Sequence, residues 1–268
     1  MSRVIGKKMD IARIKKKINT RIVGEELIYY ESVESTNRLL FELADKGLED
    51  GTVLISDMQT GGKGRLGRNW FSPGGVNLYL SVLLRPEVSP ENSAVFTFIA
   101  SLALVKTLDE LDIRSQIKWP NDLLINNKKV AGVLTEMKNN GDKLNFIIIG
   151  IGLNINLSEK SINENLTDIS NYVTSLSIEK NSSLDREKIA SDLISYIDHY
   201  YLKFNAEGIN SIVAEWSNRW GMLNEKVSIK VDNNIISGIA RKIDSNGFLY
   251  IEDNKGKLEK VIAGDIQN

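Results

Sequence analysis

The stretch QTGGKGRLGRNW, residues 59–70, is the most chemically distinctive part of this chain. Eight of its residues, 61–68, include four glycines and three cations. Glycine adopts positive φ at no steric cost, so successive backbone N–H groups can curve around an anion, which Lys63, Arg65 and Arg68 would neutralise. The stretch lacks the Gly-Lys-Ser/Thr ending of a P-loop and the spacing of a dinucleotide fingerprint. It therefore predicts an anion-binding loop; the alternative is a basic hairpin tip or a nucleic-acid-binding glycine/arginine segment.

The composition limits the chemistry available to the chain. Its 268 residues suffice for one large domain and one small domain. With 34 basic and 35 acidic residues the formal charge is −1, so no global field attracts nucleic acid or membranes. The lack of cysteine and the single histidine exclude thiol nucleophiles, disulfides and metal sites built from cysteine or several histidines. Because no apolar run reaches the roughly 18 residues of a membrane span and no signal core is visible, we expect a cytoplasmic protein.

Hydrophobic periodicity predicts a sheet around the glycine-rich stretch. The predicted strands are residues 26–31, 52–56, 77–84, 123–125, 129–137 and 145–149. Ser35 is the predicted N-cap of a helix that ends near Gly47, and residues 91–111 are predicted to form a helix with one core face. The strand at 52–56 leads into the glycine-rich stretch. A polar turn at residues 126–127 joins its flanking strands into a hairpin.

The N-terminal 25 residues are short and basic. Ile11, Ile14 and Ile18 occur at helical spacing, which predicts a surface helix that leads into the domain. A DNA-contacting arm is the alternative interpretation, although a helix-turn-helix module would need about twice this length.

The C-terminal part begins with a polar segment that contains an amphipathic portion at residues 166–176. Two helices are predicted after it, at residues 185–204 and 208–219, and His199 within the first is assigned no chemistry. From Glu225 the pattern changes to period two with tight turns. Four or five short strands within about 45 residues predict a small barrel.

Six motifs connect the glycine-rich stretch to the rest of the chain. They are ESTN (34–37), Gln59 with GKGRLGRNWFSP (62–73), NLYL (77–80), KWPND (118–122), KVAG (129–132) and GIGLN (150–154). In this order and spacing they resemble the biotin protein ligase family, and the resemblance extends over about residues 25–268. It implies an α+β fold in which a mixed-sheet biotin/lipoate ligase catalytic domain, class II synthetase-like, is followed by a small SH3-like β-barrel. The implied boundaries are 1–25 for the lead-in, 26–222 for the catalytic domain and 223–268 for the barrel.

The resemblance implies a two-step reaction. Biotin and ATP, accompanied by Mg²⁺, give biotinyl-5′-adenylate and pyrophosphate, and a lysine of a biotin carboxyl carrier domain then attacks the mixed anhydride. No tightly bound cofactor and no protein-held metal are expected. Homodimerisation is typical of the family, and we expect neither nucleic-acid nor membrane partners.

Three residues are implied to carry the chemistry. Lys129 would bridge the biotin carboxylate and the α-phosphate, because a point-charge ammonium suits two converging anions; without the resemblance it reads as a solvated lysine in a hairpin. Arg65 would close over the adenylate, within a mobile loop that ligand orders. Asp122 would orient or deprotonate the acceptor amine, although an aspartate after asparagine is also a common turn former.

The resemblance also implies two overlapping sets of binding residues. The biotin set is Ser35, Thr36, Asn37, Gln59, Gly62, Lys63, Arg65, Lys129, Gly132 and Gly150. The ATP and adenylate set is Lys63, Arg65, Arg68, Trp70, Asn77, Asn121, Lys129 and Asn154. Lys63 stands where an arginine is usual in the family, so this position keeps the charge but loses bidentate capacity. The ureido ring of biotin is neutral, so its recognition needs neutral donors and acceptors.

Three alternatives stand beside this interpretation. A lipoate protein ligase shares the fold and the adenylation chemistry but is not expected to carry the Gly-x-Gly-Arg-x-Gly-Arg loop. A biotin-responsive repressor would need a winged helix of roughly 60 residues where about 25 precede the catalytic domain, so we expect ligase activity without operator binding. A non-enzymatic interaction protein would leave the ordered motifs unexplained.

Overall fold

A seven-stranded mixed sheet forms the centre of the protein in the computed structural model, which describes residues 7–231 and 234–266. Its strands are β1 (Leu27–Val33), β2 (Val53–Gln59), β3 (Leu78–Leu84), β4 (Gln116–Lys118), β5 (Asp122–Ile125), β6 (Lys128–Asn140) and β7 (Lys143–Leu153), in the spatial order β1-β2-β3-β7-β6-β5-β4. β1 and β2 are parallel, and the other neighbours are antiparallel. The glycine-rich stretch at residues 59–70, which we call the glycine loop, follows β2, and the predicted hairpin is formed by β5 and β6. Both are therefore carried by one sheet, as the sequence predicts.

Helices cover both faces of this sheet. They are α1 (Ile11–Lys17), α2 (Thr36–Ala44), α3 (Ala94–Asp109), α4 (Glu159–Asn165), α5 (Leu176–Lys180), α6 (Arg186–Glu207) and α7 (Ile209–Arg219). Successive side chains of a strand point to opposite faces, so Val53 and Ile55 of β2 enter the larger core while Leu54 packs in a second core with Leu40 of α2. The central strand β3 is buried along its whole length and is apolar except for Ser81, whereas the edge strand β1 exposes Tyr30, Glu31 and Ser32.

The ends of α2 and α3 show where local signals suffice and where they do not. Ser35 caps α2 as predicted, because its Oγ accepts a hydrogen bond from the Arg38 N–H at 3.5 Å. The prediction of one core face for α3 is wrong. This helix lies between the sheet and helices α6 and α7, so it is buried on nearly all sides, including the polar side chains of Ser101 and Thr107.

The segments at residues 150–154 and 166–176 also differ from their predicted form. β7 continues to Leu153, so the GIGL part of the GIGLN motif lies inside the strand rather than after it. The amphipathic portion at 166–176 forms a 3₁₀ helix (Thr167–Tyr172) that precedes α5. The predicted N-terminal helix is α1, and Ile14 is fully buried against the core.

A second, five-stranded antiparallel sheet follows α7. Its strands are β8 (Lys226–Val231), β9 (Asn234–Ile243), β10 (Leu249–Glu252), β11 (Leu258–Val261) and β12 (Asp265–Ile266), in the order β11-β10-β9-β8-β12. The Trp119 indole donates to the Gly247 carbonyl at 2.9 Å, which links the turn between β4 and β5 to the turn between β9 and β10. Asp265 of β12 lies beside the glycine loop, in an ion pair with Arg65. Across 7–231 and 234–266, no helix has the length and apolar character needed to cross a membrane.

Candidate active site

A cavity of about 410 Å³ opens where the glycine loop, the ends of β6 and β7, and strand β12 meet. Its lining includes these residues from the predicted sets: Ser35, Thr36, Asn37, Gln59, Lys63, Arg65, Arg68, Trp70, Asn121, Asp122, Lys129, Gly132, Gly150 and Asn154. Gly62 and Asn77, which also belong to the predicted binding sets, lie behind the lining residues and do not line the cavity themselves. The motifs thus converge on one cavity although they come from separate parts of the chain.

The bottom of the cavity is formed by neutral polar side chains, which we call the polar floor (Ser35, Thr36, Asn37 and Gln59). The Gln59 Oε1 accepts from the Thr36 backbone N–H at 2.9 Å, and the Thr36 hydroxyl lies 3.1 Å from the same oxygen. The Gln59 Nε2 donates to Ser72 at 3.0 Å, and the Ser72 hydroxyl donates to the Trp70 carbonyl at 2.9 Å. The floor is therefore held to the base of the glycine loop.

Gly62 serves that junction rather than the cavity surface. A Cβ at this position would lie 2.6 Å from the Ser72 Oγ and 2.7 Å from the Trp70 carbonyl oxygen. Only glycine lets the two ends of the loop approach so closely.

Two glycines of neighbouring strands make room for an indole. Gly132 of β6 pairs with Gly152 of β7, and Trp70 lies on this bare surface. A Cβ on Gly152 would come within 2.4 Å of the ring. The Lys129 Nζ lies 5.3 Å from the centre of the Trp70 ring. Within the described residues the indole N–H of Trp70 is buried and has no hydrogen-bond partner.

Lys129 and Asp122 face each other across the β5–β6 hairpin. The Lys129 Nζ lies 2.7 Å from the Asp122 Oδ1, and both side chains are about a quarter to a third exposed. Lys118 lines the cavity beside them; burial lowers the pKa of Lys118 below its ordinary value, and the charge of Asp122 opposes this shift. The hairpin thus brings two amines and one carboxylate to one wall.

The glycine loop is tied to the C-terminal sheet. Arg65 Nη1 lies 3.1 Å from the Asp265 Oδ1, and Arg68 forms an ion pair with the other oxygen of the same carboxylate. Arg65 also donates to the Asn121 Oδ1 at 3.3 Å and to the Gly264 carbonyl at 3.4 Å. We call Lys129, Arg65 and Arg68 the cation cluster. Each of its members is paired with an aspartate.

Asn77 supports the cavity from behind. Its Nδ2 donates to the Asn154 Oδ1 at 3.3 Å, and its Oδ1 accepts from the Ile155 N–H at 3.0 Å. The Asn77 carbonyl in turn accepts from Arg186, whose guanidinium is paired with the buried Asp57. Asn77 therefore orients Asn154, which lines the cavity itself.

The side of the cavity opposite the sheet is apolar. It is formed by the segment after β7 and is lined by Leu157, Leu166, Ile169, Tyr172 and Val173. The Lys129 backbone holds this segment through the Thr174 N–H, which donates to the Lys129 carbonyl at 3.0 Å. The large exposed fractions of Ile169 (49%) and Tyr172 (51%) mark a surface that a flat ligand ring can cover.

Several residues of the site were missed by sequence reasoning. Asp265 lies in a two-residue strand at the far end of the chain, and most of the apolar lining lies in the amphipathic portion at 166–176, which was predicted without a role in the site. Ser72 belongs to the GKGRLGRNWFSP motif quoted above. Its position two residues after Trp70 was the one feature of the sequence that pointed to a role in the site. Over 7–231 and 234–266, no group of three acidic or histidine side chains could hold a metal ion.

Comparison with known proteins places these features in one family. The model of the biotin/lipoate A/B protein ligase family matches residues 29–154, and the model of the biotin protein ligase C-terminal domain matches residues 222–267. The biotin protein ligase of Aquifex aeolicus in complex with biotin and ATP is similar in structure, with a TM-score of 0.74 and 28% identity over 91% of this chain and 98% of that chain. This similarity confirms the predicted fold class.

Curated relatives agree with the structural similarity. The biotin–[acetyl-CoA-carboxylase] ligase of Mycobacterium tuberculosis is 29% identical over 87% of this chain and 85% of its own length. The bifunctional ligase/repressor BirA of Bacillus subtilis is 32% identical over 261 residues, which cover 97% of this chain and 79% of that protein. By its sequence, its fold and the residues that line its cavity, this chain belongs to the biotin protein ligase family.

Proposed function

We propose that this protein forms biotinyl-5′-AMP from biotin and ATP and transfers the biotinyl group to a lysine of a biotin carboxyl carrier protein or domain. One observation carries the proposal. A single cavity joins a neutral polar floor to a cation cluster, and biotin has a neutral ureido ring at one end and a carboxylate at the other.

Biotin is oriented by this division of the cavity. The ureido ring, which has N–H donors and a carbonyl acceptor, lies on the polar floor, where neutral hydrogen-bonding groups match it. The carboxylate then points toward Lys129. Fixed cations near the reacting centre lower the electrostatic cost of bringing a carboxylate to a polyanion.

In the first step a carboxylate oxygen of biotin forms a bond to the α-phosphorus of ATP. The bond between that phosphorus and the bridging oxygen to the β-phosphate breaks, and pyrophosphate leaves. Lys129 neutralises the carboxylate and the phosphoryl oxygens, and Arg65 with Lys63 covers the product within the glycine loop. Mg²⁺ accompanies ATP as part of the substrate, since it is usually bound through the phosphates of a nucleotide.

The adenylate is held by the remaining residues of the site. The adenine packs between Trp70 and the apolar lining, since a flat aromatic ring suits that surface. Asn154 and Asn121 supply amide groups to the sugar and phosphate, and Asn77 fixes Asn154 in position. Arg68 stabilises the base of the loop through Asp265.

In the second step the acceptor amine attacks the acyl carbon, and the bond from that carbon to the AMP oxygen breaks. Asp122 orients the amine and takes its proton. Its position supports this role, because the carboxylate is released from its 2.7 Å pair with Lys129 when Lys129 turns to the anions. The acceptor lysine approaches from the open side of the β5–β6 hairpin.

We also propose the cellular location and the oligomeric state of the enzyme. Its substrate ATP indicates a cytoplasmic location. β1 is an edge strand of the larger sheet, and we propose that a second copy pairs with this edge to form a homodimer.

The test is incubation with labelled biotin, MgATP and a biotin carboxyl carrier domain. We expect label on the carrier lysine and release of pyrophosphate, both dependent on ATP. A parallel reaction with lipoate separates the two ligase classes, and labelling by lipoate in place of biotin would overturn the proposal. The Lys129→Ala variant serves as the control for labelling outside the proposed site.

A further inference from the structure

Residues 166–173 contribute most of the apolar lining of the cavity, and they lie in a 3₁₀ helix and its two caps, outside the strands of the larger sheet. Thr174 follows them directly and joins them to the sheet. Its N–H donates to the Lys129 carbonyl at 3.0 Å, and its carbonyl accepts from the Asn154 Nδ2 at 3.1 Å. The lining is thus held through a residue that contacts two members of the cavity.

The side-chain hydroxyl of Thr174 is tied down as well. Thr174 is 1% exposed, and its Oγ1 donates to the Glu179 Oε1 at 2.6 Å. A hydrogen bond to an ionised carboxylate is strong, whereas a buried hydroxyl without an acceptor is costly. Loss of this contact therefore favours a shift of Thr174, and of the lining before it, toward another acceptor or water.

The other oxygen of the same carboxylate holds the hairpin that carries Lys129. The Glu179 Oε2 accepts from the Asn126 Nδ2 at 2.8 Å, across 53 positions of the sequence. Asn126 and Asn127 have φ of 50° and 61°, the left-handed pair of a two-residue hairpin turn, and Asn127 lines the cavity. One carboxylate thus connects the lining to the turn just before Lys129.

Helix α5 gives Glu179 a fixed base. The Leu176 N–H donates to the Asn154 carbonyl at 3.0 Å, and the Ser177 N–H donates to the Ile155 carbonyl at 2.8 Å, so the helix begins against the residues that follow β7. Leu176 is fully buried, whereas Glu179 is half-buried and does not line the cavity. Glu179 therefore acts on the cavity through the residues that it contacts.

We propose that Glu179 is a positioning residue that fixes the base of the nucleotide relative to Lys129. The two segments that it joins respond differently to its loss. Lys129 is also held by strand pairing, opposite Leu124 of β5, whereas residues 166–173 belong to no strand, so the lining is the part that shifts. The inference rests on the proposed function, in which the adenine packs against the lining and the α-phosphate lies at Lys129.

The test compares Glu179→Ala with the wild type in the formation of labelled biotinyl-adenylate. KM for ATP should rise by about five- to tenfold, since the lost hydrogen bonds carry roughly this factor. Biotin affinity without ATP, measured by calorimetry, should equal that of the wild type, because the polar floor does not contact the lining. Inhibition by inorganic pyrophosphate should also stay unchanged, since pyrophosphate has no base.

Two further variants separate positioning from a general loss of stability. In Glu179→Gln the Oε1 can accept from Asn126 and the Nε2 can donate to the Thr174 Oγ1, so KM for ATP should stay within about twofold of wild type. Glu164→Ala is the matched control, because it removes an exposed acid from α4, just before the lining, and its KM should be that of the wild type. A variant that only folds less well has less active enzyme, so its kcat falls while its KM does not.

A double variant tests the route through Thr174. Thr174→Val removes the hydroxyl and keeps the shape of the side chain. In this background Glu179→Ala should raise KM for ATP by less than about twofold, because the group through which Glu179 acts is gone. The full five- to tenfold rise in the Thr174→Val background would overturn the inference.

The remaining outcomes distinguish this inference from the proposed function. An unchanged KM for ATP in folded Glu179→Ala would overturn the inference alone, provided that the wild type forms biotinyl-adenylate. Pyrophosphate inhibition weakened as much as ATP binding would also overturn it, because the effect would then pass through the cations and not through the lining. Wild-type protein that forms no biotinyl-adenylate would overturn the proposed function and the inference together.

Discussion

The polar floor and the cation cluster line the same cavity, yet their side chains are satisfied in different ways. The floor residues hydrogen-bond to one another and to the buried serines Ser72 and Ser81. The members of the cation cluster are held by carboxylates, Lys129 by Asp122 and both arginines by Asp265. One end of the cavity is preorganised for a neutral ring, and at the other end the cations are neutralised by aspartates of the protein.

This difference determines what binding must change at each end. A ureido ring adds hydrogen bonds to the floor without breaking existing ones. A carboxylate or phosphate must draw Lys129 away from Asp122, and a partly exposed ion pair of this kind is worth about 1 kcal/mol or less, so this exchange costs little. The floor therefore governs which ligand binds, and the cation cluster governs how the charged groups react.

The largest expected effect is that of Lys129→Ala. Removal of the cation closest to the reacting anions should lower the rate of adenylate formation by about 100- to 1,000-fold, with biotin binding at the floor far less affected. Pyrophosphate release measures the rate, and calorimetry measures biotin affinity. Lys128→Ala, an exposed lysine of the same hairpin, should retain wild-type rates. A near-wild-type rate for Lys129→Ala in folded protein would contradict the assignment.

A smaller effect is expected from Asp265→Asn, which keeps the side-chain shape but removes the charge that holds Arg65 and Arg68. The loop should become more mobile, so KM for ATP should rise about fivefold and proteolysis at residues 62–67 should accelerate. Biotin plus ATP should slow that cleavage in the wild type, because the loop closes on the adenylate.

Glu259→Gln is the control for Asp265→Asn, because it removes an exposed acid from the same sheet without touching the loop. If Asp265→Asn instead lowers KM for ATP, Asp265 competes with the nucleotide for the arginines rather than holding them in place. Cleavage that biotin and ATP leave unchanged would argue against loop closure.

Most of the architecture follows from local signals in the sequence. The Ser35 cap, the strand that leads into the glycine loop and the hairpin before Lys129 depend on neighbouring residues, and the structure has all three. These features were predictable because capping, alternation and tight turns act over a few residues. The members of the polar floor were instead implied by the resemblance to the biotin protein ligase family, and the structure brings them to one cavity.

The features that sequence reasoning missed depend on contacts between distant residues. Asp265 is 200 positions from Arg65, and a two-residue strand gives no periodicity by which to place it. Ser81 reads as an ordinary member of a buried strand until the positions of Thr36 and Asn37 are known. Gly132 and Gly150 belong to the predicted biotin-binding set, but within the chain the groups that lie against them are Trp70 and Asn37.

The smallest expected effect is that of Lys63→Arg. Lys63 is exposed, and its backbone pairs with Asn69 across the loop, so a longer side chain is accommodated without a change in the fold. A guanidinium can contact the adenylate phosphate with two parallel hydrogen bonds where the ammonium offers a point charge, so release of biotinyl-5′-AMP should slow by about two- to threefold. Lys63→Gln should speed release, because it removes the charge. The rate at which labelled adenylate dissociates measures both variants. Equal rates for lysine, arginine and glutamine would mean that position 63 does not contact the intermediate, and that the cation cluster alone holds its charge.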